Sequence, residues 1–239
     1  MLIRFLTAEV LKLRRSLVML LCLAAPALVA IIAVLIGLKT GKSVPLLNYA
    51  QTGAAFWAFA MLPLSLTALS VLMAQMEHGP RLWDHLLALP GARRRLFLAK
   101  ALVMIALDAA MTLLLLGFLL VGAWLMPLFK PVTGSFEVAT IATLLTKMFL
   151  ASTLMAVIQL WAALRFRSFV PPLAIGILGT FISVAAAATR EGAYFPWLMP
   201  LHMLSTDPAM ASLALQIGGL GGLAVLLAML IDLGRRDAV

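Results

Sequence analysis

Six long runs of apolar residues, separated by short clusters of charge, proline and glycine, set the pattern of the chain. They extend from Leu17 to Leu38, Gly53 to Gln75, Ala101 to Met126, Val138 to Leu164, Phe169 to Thr189 and Ala211 to Leu233. Each approaches or exceeds the roughly 20 residues that a helix needs to cross about 30 Å of hydrocarbon. The pattern predicts an all-α integral membrane protein with six transmembrane helices in one domain spanning residues 1–239. The third and fourth runs are long enough to tilt or to extend beyond the hydrocarbon. Prolines at 26, 63, 171 and 172 are tolerable as kinks or near helix ends. The first run, 22 residues long, exceeds the roughly 7 to 15 of a signal-peptide core and reads as a retained span.

Composition agrees: 64% of residues are hydrophobic and 11% are charged, against about 25% charged in soluble domains. The net charge of +9 does not point to nucleic acid, because the basic residues sit at the ends of apolar runs and form no basic face. Counting Lys and Arg gives thirteen on one side: Arg4, Lys12, Arg14, Arg15, Arg81, Arg93, Arg94, Arg95, Lys100, Arg165, Arg167, Arg235 and Arg236. The other side has four, Lys39, Lys42, Lys130 and Arg190. The positive-inside rule then places both termini in the cytoplasm. Tyr49, Phe56, Trp57, Trp124, Phe129, Tyr194, Phe195 and Trp197 fall near the run ends, where amphipathic rings sit at headgroup level.

Residues Met1 to Arg15 have Leu6, Val10, Leu13 and Leu17 at helical spacing, with Arg4, Lys12 and Arg15 on other faces. Two readings stay open there: an amphipathic helix lying on the membrane over residues 1–15, or a plain overhang of the first span.

Little in the chain looks catalytic. There is no His-Glu-x-x-His pair and no Gly-x-Ser-x-Gly motif. His78 and His85 share one connection while His202 is expected on the opposite side, so they cannot share a metal. The single Cys22 lies within an apolar run and can make no intrachain disulfide. The stretch Gly37 to Ser43 imitates a phosphate-binding loop but has three residues between its glycines where that loop has four. Two ionisable residues fall within spans, Asp108 and Lys147. They either meet near mid-membrane or separate, with Lys147 reaching outward and Asp108 facing a neighbouring helix. Gly218 and Gly222 form a Gly-x-x-x-Gly spacing that predicts close helix packing, within the chain or between subunits.

The connection between the second and third runs is the most informative. Pro80 suits a helix start and Pro90-Gly91 a helix stop. Between them Leu82, Trp83, Leu86 and Leu87 form an apolar face, with Arg81, Asp84 and His85 on another. Such a helix can dock in a partner's groove or lie on the bilayer.

The order of Glu77, Trp83, Leu86, Leu89-Pro90, a basic cluster and Lys100 resembles the permeases of bacterial type-2 ABC exporters. So do the N-terminal Ala8-Glu9-x-x-Lys12-x-x-Arg15-Ser16 pattern and the run Tyr194-Phe195-Pro196-Trp197. The nearest likeness is to the permeases that confer immunity to lantibiotics and bacitracin-like peptides. The resemblance implies a coupling helix in the 76–99 connection, with Glu77, Arg81, Trp83, Asp84, Leu86 and Leu87 contacting a separate ATP-binding subunit. It also implies an interfacial N-terminal helix, a second permease copy or a homologous permease, and a place in the bacterial cytoplasmic membrane. ATP and magnesium would belong to the partner, with no cofactor in this chain. The expected cargo is hydrophobic or amphipathic: a peptide antibiotic, a drug or a lipid-like molecule. A membrane-embedded enzyme and a non-transporting assembly or sensor subunit are the competing readings.

Overall fold

The structure is a computed structural model and describes residues 2–14, 16–78, 93–187, 189 and 191–235. Its helices are α1 (Leu2–Leu13), α2 (Leu17–Lys39), α3 (Leu46–Glu77), α4 (Arg93–Leu125), α5 (Val138–Arg165), α6 (Val170–Ala186) and α7 (Pro208–Arg235). Five of these, α2, α3, α4, α5 and α7, are long and apolar enough to cross a membrane. The sixth expected span is shorter than its sequence run: α6 has 17 residues, or roughly 25 Å at 1.5 Å per residue.

Residue size decides which face of each helix turns inward. Along α2 the buried stripe is Val18, Cys22, Ala25, Val29 and Ala33, while Leu20, Leu23, Ile31 and Leu35 point outward. Small residues face the protein and large ones face the surroundings, because in lipid close backbone approach drives helix association. The same rule fixes α7. A Cβ on Gly218 would lie 2.4 Å from the carbonyl oxygen of Ala151, and one on Gly222 would lie 2.8 Å from Thr153. The Gly218/Gly222 contact is therefore internal, between α7 and α5. Likewise α6 presents Gly179 to the indole of Trp197, close enough that any added Cβ would clash.

Two helices contain a widened π turn, Trp57–Met61 in α3 and Ile217–Gly221 in α7. In α3 the cause is Pro63, which lacks an N–H and crowds the carbonyl four residues earlier, at Phe59. At the end of α2, Gly41 takes the left-handed φ of 55°. Lys130 donates to the carbonyls of Leu38 (2.9 Å) and Thr40 (2.7 Å), a cation placed where a helix C-terminus leaves carbonyls unpaired. Beside it, β1 (Val44–Pro45) and β2 (Val132–Thr133) pair in parallel.

Several sequence expectations shift. The second span begins at Leu46 and the third at Arg93, so Arg93 to Ala99 are helical and not part of the connection. Tyr49 and Trp57 lie inside α3 and are buried, and Trp197 is buried against Gly179 and stacked on Phe195. These three rings serve as packing, whereas Trp124 and Phe129 are exposed as ring-belt residues should be.

Gly218→Ala should destabilise the detergent-solubilised protein by about 1–3 kcal/mol through overpacking against Ala151. Gly219→Ala meets open space and should leave the thermal midpoint unchanged or raise it.

Candidate functional site

Polar residues in so apolar a chain need partners, and at one end of the bundle four charged side chains supply them to each other. Glu9 and Lys12 are three residues apart on one face of α1, Glu77 closes α3, and Lys100 lies two turns into α4. The Lys12 ammonium is 2.8 Å from Glu9 Oε1 and 2.9 Å from Glu77 Oε1. The Lys100 ammonium is 2.8 Å from Glu9 Oε2 and 2.6 Å from Glu77 Oε1. The four contacts close a ring in which charge alternates and sums to zero.

Glu9, Glu77 and Lys100 are 4%, 0% and 1% exposed, so each would be costly to hold as a lone charge. Burial pushes the Glu9 carboxyl up, but attraction to Lys100 and hydrogen bonds from Lys100 and Lys12 outweigh it and hold the group below its ordinary value. For Lys12 burial pushes down, and the bonds to Glu9 and Glu77 reverse that and raise it. Glu77 gives both cations the same oxygen, leaving Oε2 without a hydrogen-bond partner among the described residues.

This geometry sets how α1 lies on the bundle. Its inward face is set by Glu9 and Leu13, with Leu6 packed on the core, while Ile3, Val10 and Leu11 are exposed. Apolar spacing alone groups Val10 with Leu13. An acidic residue displaces it from the interior because that acid has two cationic partners. Glu77, expected as a contact for a partner subunit, turns inward as an anchor. Arg81, Trp83, Asp84, Leu86 and Leu87 lie outside the described residues.

Asp108 and Lys147 do not meet. Asp108 is buried and its Oδ2 accepts the Ser152 hydroxyl at 2.7 Å, joining α4 to α5. Lys147 occupies an exposed face of α5. A further cluster, unmarked in the sequence reading, ties α5 to α7: Asp232 accepts from the Trp161 indole (2.9 Å) and from Arg165 (2.7 Å). Its signal was available, since Trp161 and Arg165 are one turn apart and Asp232 is the only acid in the last apolar run.

Lys100→Met leaves two buried carboxylates to one ammonium and should cost about 3–5 kcal/mol; adding Glu77→Gln should recover part of that, read by unfolding in detergent. Because Glu9 is depressed, its contribution is present above the ordinary glutamate value of 4.5 and is lost as pH falls through the lower folded value. Because Lys12 is raised, its contribution is present below 10.5 and is lost as pH climbs through the higher folded value. Thermal midpoints against pH should therefore fall at both extremes, and Glu9→Gln should flatten the acid limb. At mid-span, Asp108→Leu should lower the midpoint while Lys147→Met leaves stability within about 0.5 kcal/mol of the parent.

Residues 5–183 match the family model described as ABC-2 family transporter protein. That stretch holds all four ring residues, Asp108 and Ser152. The comparison with curated proteins gives no match. With well over half of its 239 residues inside the family match, the chain belongs to the ABC-2 transporter family and is a multi-pass membrane permease.

Proposed function

We propose that the chain is the membrane-spanning subunit of an ATP-driven exporter, powered by a separate ATP-binding subunit that engages the connection between α3 and α4. The observation that carries this reading is the ionic ring, which fastens both roots of that connection, Glu77 and Lys100, to one another and to α1. A connection whose roots are clamped suits a force-receiving element, since a push on it displaces helix ends together. Trp83, with Leu86 and Leu87, is the apolar anchor for a groove on the partner, flanked by Arg81 and Asp84.

In this reading α6 is the sixth crossing. Its first turn lies beside Gln159 of α5, which donates to the Pro172 carbonyl, and its midpoint residue Gly179 packs on Trp197. Six crossings put both termini on one side, and the thirteen-to-four distribution of basic residues makes that side the cytoplasm. The N-terminal and loop patterns favour the lantibiotic and bacitracin immunity permeases, working as a pair of like or homologous permeases in a bacterial cytoplasmic membrane. The cargo is then a hydrophobic or amphipathic molecule, a peptide antibiotic foremost.

Affinity purification from the native membrane should bring down an ATP-binding subunit, and Trp83→Ala should reduce its recovery at least tenfold while the permease stays folded. A permease that purifies without any such subunit, or a Trp83→Ala variant with full recovery and phenotype, would refute the reading.

A further inference from the structure

We infer that α1, the last turn of α3 and the first turns of α4 move as one body during the transport cycle, with the bend at Ser16 as the joint that frees them from α2. This rests on the exporter reading above. Two independent observations support it. The first is the closed ring. Separating α1 from the α3 root breaks Lys12–Glu77, separating it from the α4 root breaks Glu9–Lys100, and separating the roots from each other breaks Glu77–Lys100. Moving all three together breaks none.

The second is where α1 packs. Although α2 follows it in the chain, α1 lies mainly on α4 and barely touches α2. Ser16 separates the two helices with extended backbone, φ −97° and ψ 165°, and its hydroxyl donates to the Leu13 carbonyl at 2.6 Å, closing α1 off as a separate helix. Chain neighbours are thus loosely joined, while partners distant in sequence are held by charge. Ile3, Val10 and Leu11 are exposed on α1 beside Arg4, so the moving body carries an apolar, basic edge along the membrane surface.

Spin labels in a Cys22→Ala background, in the complex with its ATP-binding subunit in lipid nanodiscs, test this. The pair Thr7→Cys with Leu102→Cys reads the tie, and Thr7→Cys with Leu20→Cys reads the joint; Thr7, Leu102 and Leu20 are exposed. Between the nucleotide-free and ATP–vanadate-trapped states the first distance should stay constant and the second should shift. A changing first distance, or a second that stays fixed, overturns the inference. In the resting state the exchange Glu9→Lys with Lys12→Glu sets like charges against Lys100 and Glu77 and should broaden the first distance. Adding Glu77→Lys with Lys100→Glu restores alternation and should narrow it again. If that quadruple variant does not fold, Glu9→Gln should still broaden the distance, and an unchanged width there counts against the tie. Failure to recover an ATP-binding subunit, with the resting-state broadening intact, would instead sink the exporter reading and leave the tie standing.

Discussion

Charges removed from water are stable only in each other's company, and the Glu9–Lys12–Glu77–Lys100 ring is built on that constraint. Two carboxylates and two ammoniums alternate, so each buried charge has an opposite neighbour on both sides. Any one of them alone would pull its helix toward water. Together they hold three chain segments separated by up to 91 positions at a single point. The ring thereby ties α1, the end of α3 and the first turns of α4 together.

The crossing helices were legible because the physics that writes them is local. A run of some twenty apolar residues has few alternatives in a bilayer, and its backbone can be satisfied only within a helix. Helix ends were less legible, since α3 and α4 begin at Leu46 and Arg93, among polar or basic residues that hydropathy assigns to loops. All four ring residues were marked from sequence as family features, yet their mutual contact was not, because it joins residues far apart in the chain. For α1 the pattern offered a helix lying on the membrane by its apolar side, or a plain overhang of the first span, and neither reading foresaw a buried acid. The inward side is set by the partnered Glu9 together with Leu13, while Val10 stays on the outer surface.

The same limit explains Trp57 and Trp197. Aromatic residues near the end of an apolar run read as headgroup rings, but a ring is drawn inward when a glycine opposite it leaves space, as Gly179 does for Trp197. That opposition is a fact of tertiary packing and leaves no trace in spacing along one helix. For Asp108 the two readings differed in which partner lay across the gap, and the small hydroxyl of Ser152 is the one that fits.

The molecule uses two kinds of joint, and their physics suits different tasks. The contacts of α7 with α5 and of α6 with Trp197 rest on glycine against backbone or ring, at separations where a single added carbon clashes. Such contacts tolerate little sliding, because dispersion fades within an ångström of lost contact. An ion pair at a helix end behaves otherwise. Its attraction falls slowly with distance, so it holds helix ends together without the interlocked surfaces that a packed face needs. Lys12 remains 31% exposed at its side chain, so the ring opens onto the molecular surface. Steric contacts therefore fix the packed middle of the bundle, and electrostatic ones bind the end that, in the exporter proposed above, receives force.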